Sequence, residues 1–174
     1  MERHRHDSRS KCDMYDSIDF DAVTVTIIGL PGVMTFVAES LVRDGCTVRI
    51  IDNTTVMPGD LHNATLFVNE HIGKSKAECG KAALKPMNKA AIVKGFYEDV
   101  NAASTYLLTG LVINASFSES VATVCSENAL HVTPNLSLCK TYKEGFPSKN
   151  MFIGTILQKA GVITTKIYTE LQNV

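Results

Sequence analysis

The sequence predicts an α/β protein of the Rossmann-like kind, a mainly parallel sheet with helices on both faces. Three observations predict it. Short β-branched runs alternate with amphipathic helical patterns along the chain. The first run ends in a glycine turn, "GLPG" at positions 29–32, that opens directly into a helical pattern. Asp52 closes the next run, 23 residues after Gly29. Parallel strands need crossovers, and right-handed crossover helices cover the faces of the sheet.

Residues 1–20 carry no helical or strand period and read as a polar N-terminal tail, with His4 and His6 as ordinary tail residues. "VTVTIIG" then reads as a buried strand. In "VMTFVAESLVRDG", Val33, Val37 and Leu41 share one helical face with Met34, Ala38 and Val42, and Gly45 is the stop. "CTVRIID" is a second strand, followed by a turn-rich loop, "NTTVMPGDLHN". "NEHIGKSKAECGKAALKPM" reads as a helix closed near Pro86. "AAIVKGFYED" is a third strand, "VNAASTYLLTG" a short helix and "LVINAS" a fourth strand. "SESVATVCSENA" is again helical, and "HVTPNLSL" predicts a fifth strand. The last segment predicts a helix over 151–160, then a strand or a second helical turn. No repeat or low-complexity linker interrupts the chain.

The chain has 174 residues, which suits one domain over 21–174. That is enough to remove roughly two thirds of the unfolded surface from water. Hydrophobic residues make up 45 % and charged residues 20 %, as in ordinary globular chains. A net charge of −1 gives no general attraction to nucleic acid or to an acidic membrane. The five cysteines form neither a CxxC nor a zinc-type Cys/His pair. With no secretory signal or membrane-length apolar run, the expectation is a cytoplasmic protein with reduced thiols and no metal site.

In folds of this class the ligand lies beyond the carboxyl ends of the strands. Gly29 and Gly32 would let the backbone of Leu30 and Pro31 approach a phosphate at the helix N-terminus. Asp52 stands where an acid binds a ribose diol, with Asn53 next to it. The bland alternative is a tight structural turn with a turn aspartate, and these features alone leave both readings open.

The stretch from "VTIIGLPGVM" through "DNTTVMPGDLHNATLF" to "LFVNEHIGKSKAE" and "LVINASFSES" resembles the ThiF/MoeB/E1 family over roughly residues 23–120. That family comprises ATP-dependent activators of ubiquitin-like and sulfur-carrier proteins. It reads GxGGxG, then DxDxVxxSNLxRQ, then LFxxxDVGxxKA, then a strand ending in a (D)xxDN turn. The resemblance implies an ATP site formed by Gly29, Leu30, Pro31, Gly32, Asp52, Asn53, Asn63 and Lys76. It also implies adenylation: a carboxylate attacks the α-phosphate and pyrophosphate leaves, with Lys76 as the phosphate lysine and Mg2+ assisting. Cys139 is the candidate nucleophile for a thioester, with Lys140 and Lys143 nearby to lower its pKa.

The departures are as informative. Pro31 and Met34 replace turn glycines, and Pro31 brings no N–H to a phosphate. Thr54 stands at the second acid, Asn63 at the arginine and Phe117 at the metal-binding acid. Asp60 and Glu119 are the nearest replacements for the acid, and Lys74, His62 and His71 for the cation; all five read better as solvated charges. An arginine supplied across a homo- or heterodimer is the stronger compensation. Its sources in this chain are Arg3, Arg5, Arg9, Arg43 and Arg49.

Three functions follow. One is an ATP-dependent adenylyltransferase acting on a small carrier protein or a small carboxylate, such as a cofactor precursor. Compact relatives in cofactor pathways, including that of the iron–guanylylpyridinol cofactor, offer an analogy. The second is a catalytically degenerate subunit that binds nucleotide or a partner. The third and weakest is an NAD-binding oxidoreductase.

Overall fold

A computed structural model describes residues 18–125, 127, 129–145 and 153–172. Residues 1–17 of the tail, with its two histidines, Cys12, Arg3, Arg5 and Arg9, lie outside them, as does the start of the last predicted helix; Ile18 and Phe20 pack against the core.

The elements follow one another as β1 (Thr24–Ile28), α1 (Gly32–Asp44), β2 (Thr47–Ile51), α2 (Lys76–Leu84), β3 (Val93–Phe96), β4 (Leu111–Asn114), α3 (Glu119–Val124), β5 (Leu130–Val132), β6 (Leu138–Cys139) and α4 (Ile153–Gln172). The six strands form one sheet in the order β3-β2-β1-β4-β5-β6. All neighbours are parallel except β6, which runs antiparallel to β5. The order reverses between β1 and β4, and a crevice opens at such a switch point beyond the strand ends.

Strand alternation divides the core in two. Val25, Ile27, Val48, Ile50, Ile113, Leu130 and Val132 face the larger cluster, shared with α1, α2 and α4. Ile28, Ile51 and Val112 face a smaller cluster with Leu107 and Ala129, covered by Val121 and Cys125 at α3 and by the loop before β4. The second face is also more polar: Thr26, Asn114 and His131 are buried on it. Thr26 donates to the carbonyl of Thr109 (2.6 Å), and the Asn114 amide meets His131 Nδ1 at 3.3 Å, so these groups are satisfied.

Helix α1 ends as its sequence predicts. Gly45 takes φ 109° and its N–H caps the carbonyls of Leu41 and Val42. Three expectations are corrected. The predicted helix over 69–87 is a 3-10 turn, Asn69–His71, and is α-helical only from Lys76, because Gly73 turns the chain at φ 81° and Val56 bridges to Ile72. The predicted helix over 100–110 is a single 3-10 turn, Thr105–Leu107. There the Asn101 side chain accepts from Ala103 N–H, and Ser104 Oγ from Asn101 N–H, so side chains take the backbone donors a helix would need. The fifth predicted strand is a hairpin, turned at Leu136 with φ 55°. Of the two continuations open for the last segment the structure takes the helical one, as a single uninterrupted helix, Ile153–Gln172.

Candidate functional site

A cavity of about 210 Å³ opens at the switch point. Gly29, Leu30 and Pro31 line it from the β1 exit, Asp52, Asn53 and Thr54 from the β2 exit, and Glu98 and Asp99 from the β3 exit. Ser116 and Phe117 close it after β4, and Lys76 enters from the start of α2.

Asp52 organises this cavity. Its Oδ2 accepts the Leu30 N–H at 2.7 Å, across 22 residues, so the acid fixes the glycine turn directly. Its Oδ1 accepts both the N–H (2.7 Å) and the hydroxyl (2.6 Å) of Thr54. A carboxylate has about four acceptor positions, so one position on Oδ2 is left for a ligand hydroxyl. Gly29 meets the opposite wall. With φ 80°, a Cβ there would lie 2.9 Å from Ala115 O, so only glycine lets the β1 and β4 exits approach this closely.

Lys76 is placed by the same corner. The Thr54 carbonyl accepts the Lys76 N–H at 3.1 Å, and Thr55 bridges Ser75. The segment between them thus leaves and returns at one point, as a loop closed at its base. Within it Asp60 turns back, and its Oδ1 lies 3.0 Å from Lys76 Nζ. Asp60 Oδ2 accepts the Met57 N–H at 2.7 Å, so the carboxylate is held from both sides. The side chains of the pair are only 13 % and 19 % exposed, which shields them from screening by salt.

The ThiF family profile matches residues 16–127, more than half of the chain. The chain belongs to the ThiF family. Among solved structures, E. coli MccB with ATP superposes with a TM-score of 0.70 at 16 % identity, over 88 % of this chain and 56 % of MccB. E. coli TcdA, the tRNA N6-threonylcarbamoyladenosine dehydratase, gives 0.70 at 14 % identity, over 88 % of this chain and 87 % of its own. PaaA gives 0.68 at 17 % identity, over 88 % and 57 %. At these identities the likeness is one of fold. The chain spans little more than half the length of MccB and PaaA. No curated protein sequence matches it.

Set on this ThiF fold, the expected site residues separate into two groups. Gly29, Leu30, Pro31, Asp52, Asn53 and Lys76 share the cavity. Leu30 takes part through its backbone, since its side chain is fully buried. Gly32 and Asn63 meet each other instead: a Cβ on Gly32 would lie 2.2 Å from the Asn63 carbonyl. Their contact packs the returning loop onto the start of α1. Cys139 lies on β6, outside the cavity, and its thiol donates to the Thr141 carbonyl at 2.8 Å. Lys140 pairs with Glu170 at 3.2 Å and so is engaged away from that thiol. Burial pushes the Cys46 thiol up to about 12 and the Cys125 thiol up to about 11, so both pack as neutral groups.

The residues of the ThiF motifs also test the fit of Mg2+. Thr54 spends its polar groups on Asp52. Phe117 sits at the other acid position with φ 56°, a left-handed backbone that bulky residues rarely adopt. Among the described residues no three His, Cys, Asp or Glu side chains come together as metal ligands. The metal does not fit this set. A nucleotide fits better: a glycine turn, an acid with a spare acceptor and a lysine share one crevice. The described arginines are committed elsewhere. Arg43 pairs with Glu39 at 2.7 Å, while Arg49 donates to the Leu107 carbonyl and lies over the Phe96 ring. Two carboxylates of the cavity, Glu98 and Asp99, escaped the sequence reading. The Asp60–Lys76 pairing escaped it as well, although Asp60 falls on the asparagine of DxDxVxxSNLxRQ and announces a charge change there.

Proposed function

We propose that this chain is an ATP-binding member of its family in which nucleotide binding outlasts most of the catalytic set. One observation supports this above the rest: Asp52, the Gly29 turn and Lys76 face the same cavity at the switch point. The family, and the likeness to a fold solved in MccB with ATP, support the same reading. ATP held there would supply an electrophilic α-phosphate. The residues of this chain would do the holding. Asp52 Oδ2 would accept a ribose hydroxyl, the backbone after Gly29 would admit the phosphates, and Lys76 would neutralise part of their charge.

Adenylating a carboxylate, on a small carrier protein or on a cofactor precursor, requires more positive charge than Lys76 supplies. We place that charge on another chain, in a homo- or heterodimer. A degenerate subunit that binds nucleotide or a partner is the second reading, favoured by Thr54 and Phe117 at the two acid positions. Titration calorimetry with ATP tests the shared claim: one site per chain, lost in Lys76→Ala. Pyrophosphate exchange with candidate carboxylates, with and without a partner chain, then separates the readings. Exchange supports the enzyme, and binding without exchange supports the subunit.

A further inference from the structure

We propose that the Asp60–Lys76 pair makes the cavity selective for weakly charged nucleotides, a nucleoside monophosphate over a triphosphate. The inference rests on the nucleotide reading above and specifies its ligand class. Four ionisable side chains line the cavity: Asp52, Glu98, Asp99 and Lys76. Three are acids, and Lys76 is the one cation among the described lining residues. Its ammonium is already matched by Asp60 at 3.0 Å.

The pairing has a local cause. Lys76 is the first residue of α2, where the helix dipole disfavours a cation, and Asp60 offsets this. Asp60 is itself fixed, because its second oxygen caps Met57 N–H. A polyphosphate must therefore compete with an intramolecular carboxylate for Lys76 while it approaches Asp52, Glu98 and Asp99. Each added phosphate charge meets this field again. Adenosine meets almost none of it, and AMP meets the least of any phosphorylated ligand.

The experiment is calorimetry with adenosine, AMP and ATP in Mg2+-free buffer, on the unmodified chain and on Asp60→Asn. The asparagine keeps an oxygen for Met57 N–H and turns its NH2 towards Lys76, so the charge and the acceptor that hold the ammonium are removed together. The unmodified chain should bind AMP about tenfold more tightly than ATP, a difference of roughly 1.4 kcal/mol. Asp60→Asn should close most of that gap by tightening ATP, with adenosine unchanged. A second measurement needs no variant: Glu98 and Asp99 are exposed, so their share of the gap should narrow as salt rises towards about 1 M, where the Debye length falls to roughly 3 Å, while the Asp60–Lys76 pair is screened less. ATP bound as tightly as AMP by the unmodified chain overturns the selectivity and leaves nucleotide binding standing. A gap that Asp60→Asn leaves unchanged overturns the role of Asp60, and a gap that salt leaves unchanged overturns the part given to Glu98 and Asp99. Binding of none of the three removes the nucleotide reading, and this inference with it.

Discussion

Asp52 carries more structure than a ligand-binding acid needs. Three donors converge on it: the Leu30 N–H and both polar groups of Thr54. Its loss is therefore felt in the fold before it is felt in binding. In Asp52→Asn one oxygen becomes an NH2 group facing a backbone N–H, leaving a buried donor without an acceptor. Unfolding in urea should show a loss of about 1–3 kcal/mol. Gly32 makes a parallel case through packing. Gly32→Ala drives a Cβ to 2.2 Å from the Asn63 carbonyl and should destabilise by about 1–3 kcal/mol. Gly59→Ala in the same loop meets nothing within 4 Å and should stay within about 0.5 kcal/mol of the unmodified chain. The glycine turn and Asp52 were legible in the sequence because strand and turn chemistry is local. The contact of Asp60 with Lys76 was not, since it exists only once Thr55–Ser75 closes the loop base.

Among the elements, β1 to β4 and α1 follow from local pattern, while elsewhere tertiary packing outweighs it. Helix α4 is the clearest case. "GVITT" is glycine-led and β-branched, which predicts a strand by propensity. Yet Ile156, Ala160, Ile163 and Ile167, spaced by four, three and four, are all buried on one face, packed in the same core as α1. That burial decides the conformation. Ile163→Ala should then cost about 2–5 kcal/mol in thermal or urea unfolding, as a cavity in the larger cluster. The 97–110 loop failed the helical expectation for the opposite reason: its polar side chains bind its own backbone, and only Val100, Leu107 and Leu108 reach the apolar cluster.

Across the whole molecule, the two faces of the sheet differ in how they respond to pH. The thinner face holds His131 between Asn114 and the Tyr142 ring, 5.9 Å away. Asn114 Oδ1 accepts from the Ser116 N–H (3.0 Å) and hydroxyl (2.7 Å), which turns its NH2 towards His131 Nδ1 and makes that nitrogen an acceptor. Burial lowers the His131 pKa, in the same direction as this neutral form requires. A depressed histidine contributes stability that is present above its unfolded value near 6.5 and lost as pH falls through its folded value. The melting temperature should fall as pH drops below about 6.5, with a shallower fall in His131→Gln. An equal slope in the two proteins would assign the pH dependence elsewhere.

On the same scale, the crevice between β1 and β4 is where the proposed nucleotide would bind. Amide chemical-shift mapping during titration with AMP and with ATP tests this directly. The account predicts saturable shifts concentrated at Gly29, Leu30, Asp52, Thr54, Lys76 and Phe117. No shifts with either nucleotide, or shifts gathered away from this crevice, would contradict it.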